Sequence, residues 1–223
     1  MDQRALAYET PRREIARRVP EAARRVLDLG CASGGLATLL KARGPVEVVG
    51  IELDEGYAAA AEARCDRVIH ADVEAVARRA DLEGELGRFD CLVAADVLEH
   101  LVDPWSALRA YARLLEPGAA AVVSLPNVAH WSTYAHLARG TWPRLPEGVH
   151  DATHLRWFTL RDARELLAQA GLDVVAIDRR PRLIWRGSRL DDLLGPLVVR
   201  IPVLRTLGTF QHVLAAYPAR PCR

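Results

Sequence analysis

From Arg25 onward, short and almost unbroken apolar runs alternate with longer stretches in which apolar residues recur every three or four positions. "RVLDLG", "VEVVGIEL", "DRVIHAD", "FDCLVAAD" and "GAAAVVSLP" have the length and continuity of strands buried on both faces. Between them, "GGLATLLKARG", "EGYAAAAEAR", "VEAVARRA" and "PWSALRAYARLL" have the helical period. Pro104 stands at a first helical turn, where its missing N–H costs nothing. Continuous strands alternating with amphipathic helices predict an α/β chain, with a parallel sheet covered on both faces.

The second half is less regular. Asn127 to Arg139 reads as partly helical, and "GTWPRLPEGVHDATHLRWF" as a long loop or lid with no clean period. "TLRDARELLAQAG" is a strong helix, with Thr159 as its N-cap and Gly171 as its stop. "LDVVAIDRR" is a sixth strand and "TFQHVLAAYP" a seventh, separated by a basic stretch and an apolar segment broken by Pro196 and Pro202. The expected organisation is a single domain over 1–223. It has an N-terminal lid or helix at 1–24, a substrate-side insertion at 127–158 and an irregular, partly helical insertion at 180–209.

Composition narrows the class. With 223 residues, half of them hydrophobic, the chain can build one sizeable core. A net charge of +1 names no nucleic-acid or membrane partner. Cys31, Cys65, Cys91 and Cys222 are scattered without a CxxC, which excludes a zinc ribbon or disulfide framework and suits a reducing compartment. No apolar run reaches the length of a membrane span, so a cytoplasmic protein is expected.

The chemistry concentrates at strand ends. "VLDLGCASGG" is a strand, a small-residue turn and a helix start, which aims backbone N–H groups at a ligand above the sheet. Gly30, Ala32 and Gly35 match a GxGxxG spacing if alanine is tolerated; that pattern suits a dinucleotide or S-adenosylmethionine equally. The acidic residues discriminate. Asp28, two residues before the turn, would repel a pyrophosphate and meet a positive group. Glu52, ending the second strand, is placed to accept two ribose hydroxyls. Asp72, ending the third, is placed to accept from an adenine amine, with Val73 beside the ring. Asp72 and Asp96 are also placed to cap the helices that follow them.

"VLDLGCASG", "VVGIELD", "ADVE", "FDCLVAADVLEHLVDP" and "HLRWFTLRDARELLAQAGL" resemble a class I S-adenosylmethionine-dependent methyltransferase over most of the chain, Tyr8 to about Ala216. "YETPRREI" and "HDATHLRWFT" also resemble methyltransferases found beside bacterial glycosyltransferases. The resemblance implies a Rossmann-like doubly wound sheet, order 3-2-1-4-5-7-6, with strand 7 antiparallel. It implies that Gly30, Cys31, Ala32 and Gly34 form the turn under the methionine moiety and that Asp28 acts on its ammonium. Glu52 would hold the ribose, Leu53 would lie on the adenine, and Asp72 and Val73 would meet its edge. Ala95 and Asp96 would close the pocket, with His100 facing cofactor or substrate. Tyr8 with Arg12 or Arg13 would fold over the cofactor as a lid.

The cofactor, S-adenosyl-L-methionine (product S-adenosyl-L-homocysteine), supplies an electrophilic methyl group, and a hydroxyl or amine acceptor calls for a general base. His130, His136, His150 and His154 lie in the segment after the fifth strand, with Trp131, Tyr134, Trp142 and Trp157. His154 is the first candidate base, followed by His150 and His130. On a helix, His150 and His154 would share a face, but two histidines and one aspartate in a loop are thin evidence for a metal, and none is expected. Ala32 is expected at negative φ, and Gly30 at the close backbone approach to the ligand. The expected acceptor is a small molecule, a hydroxyl of a sugar, glycan precursor or secondary metabolite, methylated by in-line displacement. An RNA or protein methyltransferase, kept open by "DRRPRLIWRGSR", and a non-catalytic cofactor-binding partner protein are the rivals; a dehydrogenase stands last. Nucleic acid is not the expected partner, and the protein would be a monomer or homodimer.

Overall fold

A computed structural model describes residues 12–183, 194–195, 197–198 and 200–219. Tyr8, Trp185 and Cys222 lie outside the described residues. The elements are helix α1 (Arg13–Ala16), strand β1 (Arg25–Leu29), α2 (Gly35–Lys41), β2 (Glu47–Glu52), α3 (Glu55–Ala61), β3 (Arg67–His70), α4 (Val73–Ala77), α5 (Leu82–Leu86) and β4 (Phe89–Ala95). A 3-10 turn (Leu98–His100) follows, then α6 (Pro104–Ala112), β5 (Leu115–Pro126), α7 (Trp131–Leu137), α8 (Leu160–Gln169), β6 (Leu172–Pro181), α9 (Pro202–Gly208) and β7 (Thr209–Pro218). The sheet order is β3-β2-β1-β4-β5-β7-β6. β7 runs antiparallel to both β5 and β6, and the other neighbours are parallel. This is the doubly wound arrangement that the order of motifs implies.

The period of the strands decides which face each residue covers. On one face, Leu27, Leu29, Val49, Ile51, Leu92, Ala94, Val123 and Leu125 pack with Leu108 and Tyr111 of α6 and Leu166 of α8. On the other, Val26, Val48, Cys91, Val93, Ala120 and Val122 meet Ile15, Val19, Leu36 and Leu40. Tyr111 is fully buried, and its hydroxyl donates to the Val73 carbonyl at 2.7 Å, so the ring's polar end is satisfied inside the apolar layer.

The helix signals hold at the atomic level. Asp103 caps α6 through the Ser106 N–H, with Pro104 next to it, and Thr159 forms a reciprocal capping box with Asp162 on α8. Gly171 stops α8 at φ 77°. α5 was not anticipated, because "ADLEGEL" holds too few apolar residues to show a period. Glu74 carries a role that no motif indicates. It is 8% exposed, and its carboxylate accepts the N–H groups of Val102 and Asp103 at 2.9 and 2.8 Å, fixing the start of α6.

Candidate functional site

Parallel register brings the C-terminal ends of adjacent strands to one edge. Asp28 of β1 stands between Gly50 of β2 and Val93 of β4, Glu52 pairs with His70 of β3, and Ala95 of β4 pairs with Ser124 of β5. Asp28, Glu52, Asp72 and Asp96 therefore reach the same rim, the edge at which open α/β sheets bind ligands.

The turn after β1 is held from beneath. Gly30 and Cys31 donate their N–H groups to the Ile51 carbonyl at 2.8 and 3.1 Å, and Ala32 donates to the Glu52 carboxylate at 2.8 Å. Gly30 has φ 68° and Gly34 has φ 77°. A Cβ on Gly30 would come within 3.1 Å of the Val97 side chain, so the protein itself already crowds that position. Ala32 has φ 46°, which corrects the expected negative φ: the alanine adopts the left-handed region at a cost of roughly 1–2 kcal/mol. Cys31 turns its sulfur away from the rim toward β2, where a Cβ on Gly50 would lie 2.5 Å from it. Gly50 is thus a requirement of the turn that no motif indicated. Cys31 offers the rim only backbone.

Asp28 is 3% exposed. Burial first, and the Glu52 carboxylate second, push its pKa up to about 7 against the opposing pull of Arg12. Glu52 accepts from Leu53 and Asp54 as well as Ala32, each near 2.9 Å. Leu53 is 65% exposed beside it, a large apolar surface on the rim. Asp72 accepts from the Glu74 N–H at 2.6 Å and caps α4, so the capping role is real for this residue.

Asp96 does not cap the turn after it; the cap residue there is Val97, with no side-chain bond. With φ 56°, Asp96 turns its carboxylate back over the sheet, where it accepts from Ser124 Oγ at 3.0 Å, from Gln211 Nε2 and from the Arg12 guanidinium. Arg12 also donates to Glu14 at 2.9 Å. Ser124 and Gln211 belong to none of the sequence motifs. A lone serine in the apolar run "AAAVVSLP" and a glutamine in "TFQHVLAAYP" were the available signals.

The histidines separate sharply. His130 is spent on structure: Nε2 donates to the Arg182 carbonyl at 2.6 Å, Nδ1 meets Ser132 Oγ at 2.8 Å, and the ring packs on Phe210. His150 is 3% exposed, meets Thr133 Oγ1 at 3.3 Å and stacks edge-on with His136 and Trp142. Burial and its neighbouring imidazoles lower its pKa to about 4, so it too holds the insertion together. Residues 150–156 form turns and an isolated bridge instead of a helix, so His150 and His154 share no helical face.

His154 has a different setting. Its Nδ1 donates to the Val149 carbonyl at 3.1 Å, and its Nε2 faces Oε1 of Glu99 at 3.9 Å. Glu99 is 1% exposed, and neither of its oxygens has a hydrogen-bond partner. Burial, and then Asp96, hold its carboxyl far above the usual range, and burial lowers the pKa of His154. The His100 ring meets the His154 ring edge-on at 4.7 Å. Trp142 (45% exposed), which also meets the His150 ring, and Trp157 (40%) pack edge-on at 5.3 Å, leaving aromatic surface in the insertion.

Comparison with known proteins agrees with this architecture. A family model described as a methyltransferase domain matches residues 3–177. The ubiquinone biosynthesis O-methyltransferase of Ruegeria pomeroyi is 33% identical over 174 residues, covering 73% of this chain and 65% of that protein. A protein of the same name from Ruegeria sp. (strain TM1040) is 31% identical over 194 residues, covering 80% of this chain and 73% of its own length. Among solved structures, magnesium protoporphyrin IX methyltransferase from Synechocystis PCC 6803, with bound S-adenosylhomocysteine, superposes with a TM-score of 0.63 at 16% identity, over 97% of this chain and 85% of that one. The match thus spans a little under two thirds of the Ruegeria pomeroyi relative.

The fold and the matching family model define a Rossmann-like methyltransferase domain. The chain belongs to this family, as a class I S-adenosylmethionine-dependent methyltransferase. Among the described residues, no helix is long and apolar enough to cross a membrane.

Proposed function

We propose that the protein transfers the methyl group of S-adenosylmethionine to a hydroxyl of a small molecule. The observation that carries this is the convergence of Asp28, Glu52, Asp72 and Asp96 on one rim beside a turn of small residues. In this assignment Asp28 and Asp96 take the cofactor's ammonium end, and Glu52 takes the ribose hydroxyls. Leu53 covers one adenine face, and Asp72 and Val73 meet its edge. The backbone of Gly30, Cys31, Ala32, Gly34 and Ala95 lines the methionine side. Transfer is an in-line displacement, for which the protein supplies alignment and exclusion of water.

The acceptor is a ring hydroxyl in preference to a sugar. The names of the relatives fit small-molecule O-methylation in quinone biosynthesis and lend no support to a glycan. The exposed faces of Trp142 and Trp157 suit a planar acceptor. Removal of the acceptor's proton falls to the cluster of Glu99, His100 and His154, and His130 and His150 are relieved of that role.

Two measurements test this assignment. S-adenosylhomocysteine at millimolar concentration should raise the melting temperature, since it binds only the folded state. Methyl transfer from labelled cofactor should favour catechols and hydroxyquinols over sugars. No thermal shift would overturn the cofactor assignment, and transfer to sugars alone would overturn the acceptor class.

A further inference from the structure

Cys31 and Cys65 come from different segments and meet inside one core layer, both as free thiols. They are 5% and 7% exposed. A Cβ placed on Gly50 would lie 2.5 Å from the Cys31 sulfur and 3.5 Å from the Cys65 sulfur, so both side chains use the space this glycine leaves over β2. The two thiols are in hydrogen-bond contact with one another. Cys31 has only a distant alternative acceptor, the Ala32 carbonyl at 3.7 Å. Cys91 is buried in the same layer but aims its S–H at the Leu92 carbonyl, also at 3.7 Å.

Both cysteines sit on braced backbone. Cys31 donates its N–H to the Ile51 carbonyl at 3.1 Å, and Cys65 donates its own to the Ala61 carbonyl at 2.8 Å. The segment after α3 is tied to the turn after β1 by Arg64, whose Nη1 donates to the Ser33 carbonyl at 2.6 Å and to Ser33 Oγ at 2.9 Å. A Cβ on Gly34 would come within 3.0 Å of the Arg64 side chain and 3.4 Å of the Cys65 sulfur. The segments are already ordered against each other, so joining their sulfurs costs little further conformational entropy. The sulfurs are chemically unequal. The hydrogen bond from Cys31 lowers the pKa of the Cys65 thiol, against the opposing effect of burial and with help from the Lys41 cation. The same bond, and then burial, raise the pKa of Cys31. Cys65 therefore ionises first, and Cys31 is placed to attack it once it is oxidised.

From this geometry we propose that Cys31 and Cys65 form a reversible disulfide, with a small hydroperoxide as oxidant, and that the link disables the cofactor turn. The Cys65 thiolate attacks the peroxide bond, which breaks to leave a sulfenic acid on Cys65 and release an alcohol, or water from hydrogen peroxide. The Cys31 sulfur then forms the S–S bond, and the sulfenic oxygen leaves as water, taking up the Cys31 proton. The two thiols lose two electrons and two protons, and the hydroperoxide takes up both. Burial keeps bulky disulfides from the pair, so the oxidant must be small. A disulfide bond is about 2.05 Å long, so the sulfurs must close from hydrogen-bond contact. Cys31 cannot follow without pulling on the turn, which is held by bonds to Ile51 and Glu52 and already carries Ala32 at φ 46°. The consequence for binding rests on the methyltransferase assignment, which puts this turn under the methionine moiety.

The test uses the full chain, reduced, exposed to hydrogen peroxide, and alkylated at its remaining thiols before digestion. Trypsin should release Val26–Lys41 joined through sulfur to the tripeptide Cys65–Arg67, with Cys91 and Cys222 alkylated. S-adenosylhomocysteine affinity should fall by at least about fivefold in the linked form, the low end of a typical coupling, and dithiothreitol should restore it. Cys65→Ala should bind S-adenosylhomocysteine as reduced wild type does, and peroxide should leave that affinity unchanged. The peptide map is read on wild type, so a variant that fails to fold leaves the decision intact. Absence of the linked peptide, a link that leaves affinity unchanged, or an equal peroxide effect on Cys65→Ala would overturn the switch. In each of those cases an S-adenosylhomocysteine thermal shift of the reduced protein keeps the methyltransferase assignment standing. A linked peptide with no such shift in the reduced protein overturns that assignment, and with it the proposed effect of the link.

Discussion

The carboxylate of Glu52 accepts the backbone N–H of Ala32 at 2.8 Å, tying the end of β2 to the crest of the turn after β1. The same carboxylate accepts from Leu53 and Asp54. A residue expected to serve the cofactor alone therefore also shapes the loop beneath it. Glu52→Ala strands three backbone donors, at about 1–3 kcal/mol for any that water does not reach. The expected loss is several degrees of melting temperature together with weaker S-adenosylhomocysteine binding. Glu52→Gln should recover much of the stability. Calorimetric melts of the two variants decide it, and an alanine variant as stable as wild type would contradict the tie.

Ala32 and Gly30 should respond in opposite directions. Ala32 occupies φ 46°, so Ala32→Gly relieves strain but gains unfolded-state entropy, for a net gain of up to about 1 kcal/mol. Gly30→Ala meets both a left-handed φ and the Val97 side chain at 3.1 Å. It should lose at least about 1–2 kcal/mol before any cofactor is added. Urea denaturation of both variants without ligand checks the sign of each.

Asp28 makes the protein sensitive to pH. Its folded pKa of about 7 lies above its ordinary value of 3.8, so the native state holds this proton more tightly than the unfolded chain. The resulting stability is fully present below about pH 4 and is lost as pH rises through 7. In that window wild type should lose a few kcal/mol relative to Asp28→Asn, which cannot ionise. An ammonium bound beside Asp28 would expel the proton. S-adenosylhomocysteine binding near pH 6.5 should then show a heat that varies with the ionisation enthalpy of the buffer. Equal heats in all buffers would remove Asp28 from the ammonium site.

Arg12 and Asp96 join the start of the described chain to the end of β4. Both side chains are about a quarter exposed, so the pair should couple by no more than roughly 1 kcal/mol. A double-mutant cycle with Arg12→Ala and Asp96→Ala measures this coupling, which should shrink at high salt. A null coupling would mean that Ser124 and Gln211 suffice to hold Asp96.

His130 and His154 should separate stability from rate. His130→Ala removes the bond to the Arg182 carbonyl and should lower the melting temperature, while kcat falls less than about tenfold. His154→Ala should cost about 10²-fold or more in kcat with S-adenosylhomocysteine affinity retained. Parallel losses in both variants would place His130 back in the chemistry.

The alternation of strands and helices, the helix starts at Thr159 and Pro104, and the carboxylates at strand ends were legible in the sequence, while the strand order was what the resemblance to class I methyltransferases implied. The first three rest on local signals: unbroken apolar runs, Pro104, and carboxylates immediately after strands. Parallel pairing then aligns those strand ends without further information. What the linear chain could not show were relationships across distance. Gly50 is required by Cys31, 19 positions earlier, through a side chain that a period-two pattern does not reveal. Ala32 was read by its chemistry, but its φ is imposed by the bonds from Gly30 and Cys31 to Ile51 and from Ala32 to Glu52.

The sequence ranked His154 ahead of His150 and His130 as the base, and packing separates the three physically. Those at 130 and 150 were drawn into carbonyl, hydroxyl and ring contacts. His154 was left facing a carboxylate that no partner neutralises. By itself the sequence determined the alternation of buried strands with amphipathic helices and the carboxylates at strand ends, because these follow from periodicity and adjacency; the strand order was implied by the family resemblance. Only the tertiary structure decided which histidine meets Glu99, because that choice depends on desolvation and hydrogen bonding between segments about fifty residues apart.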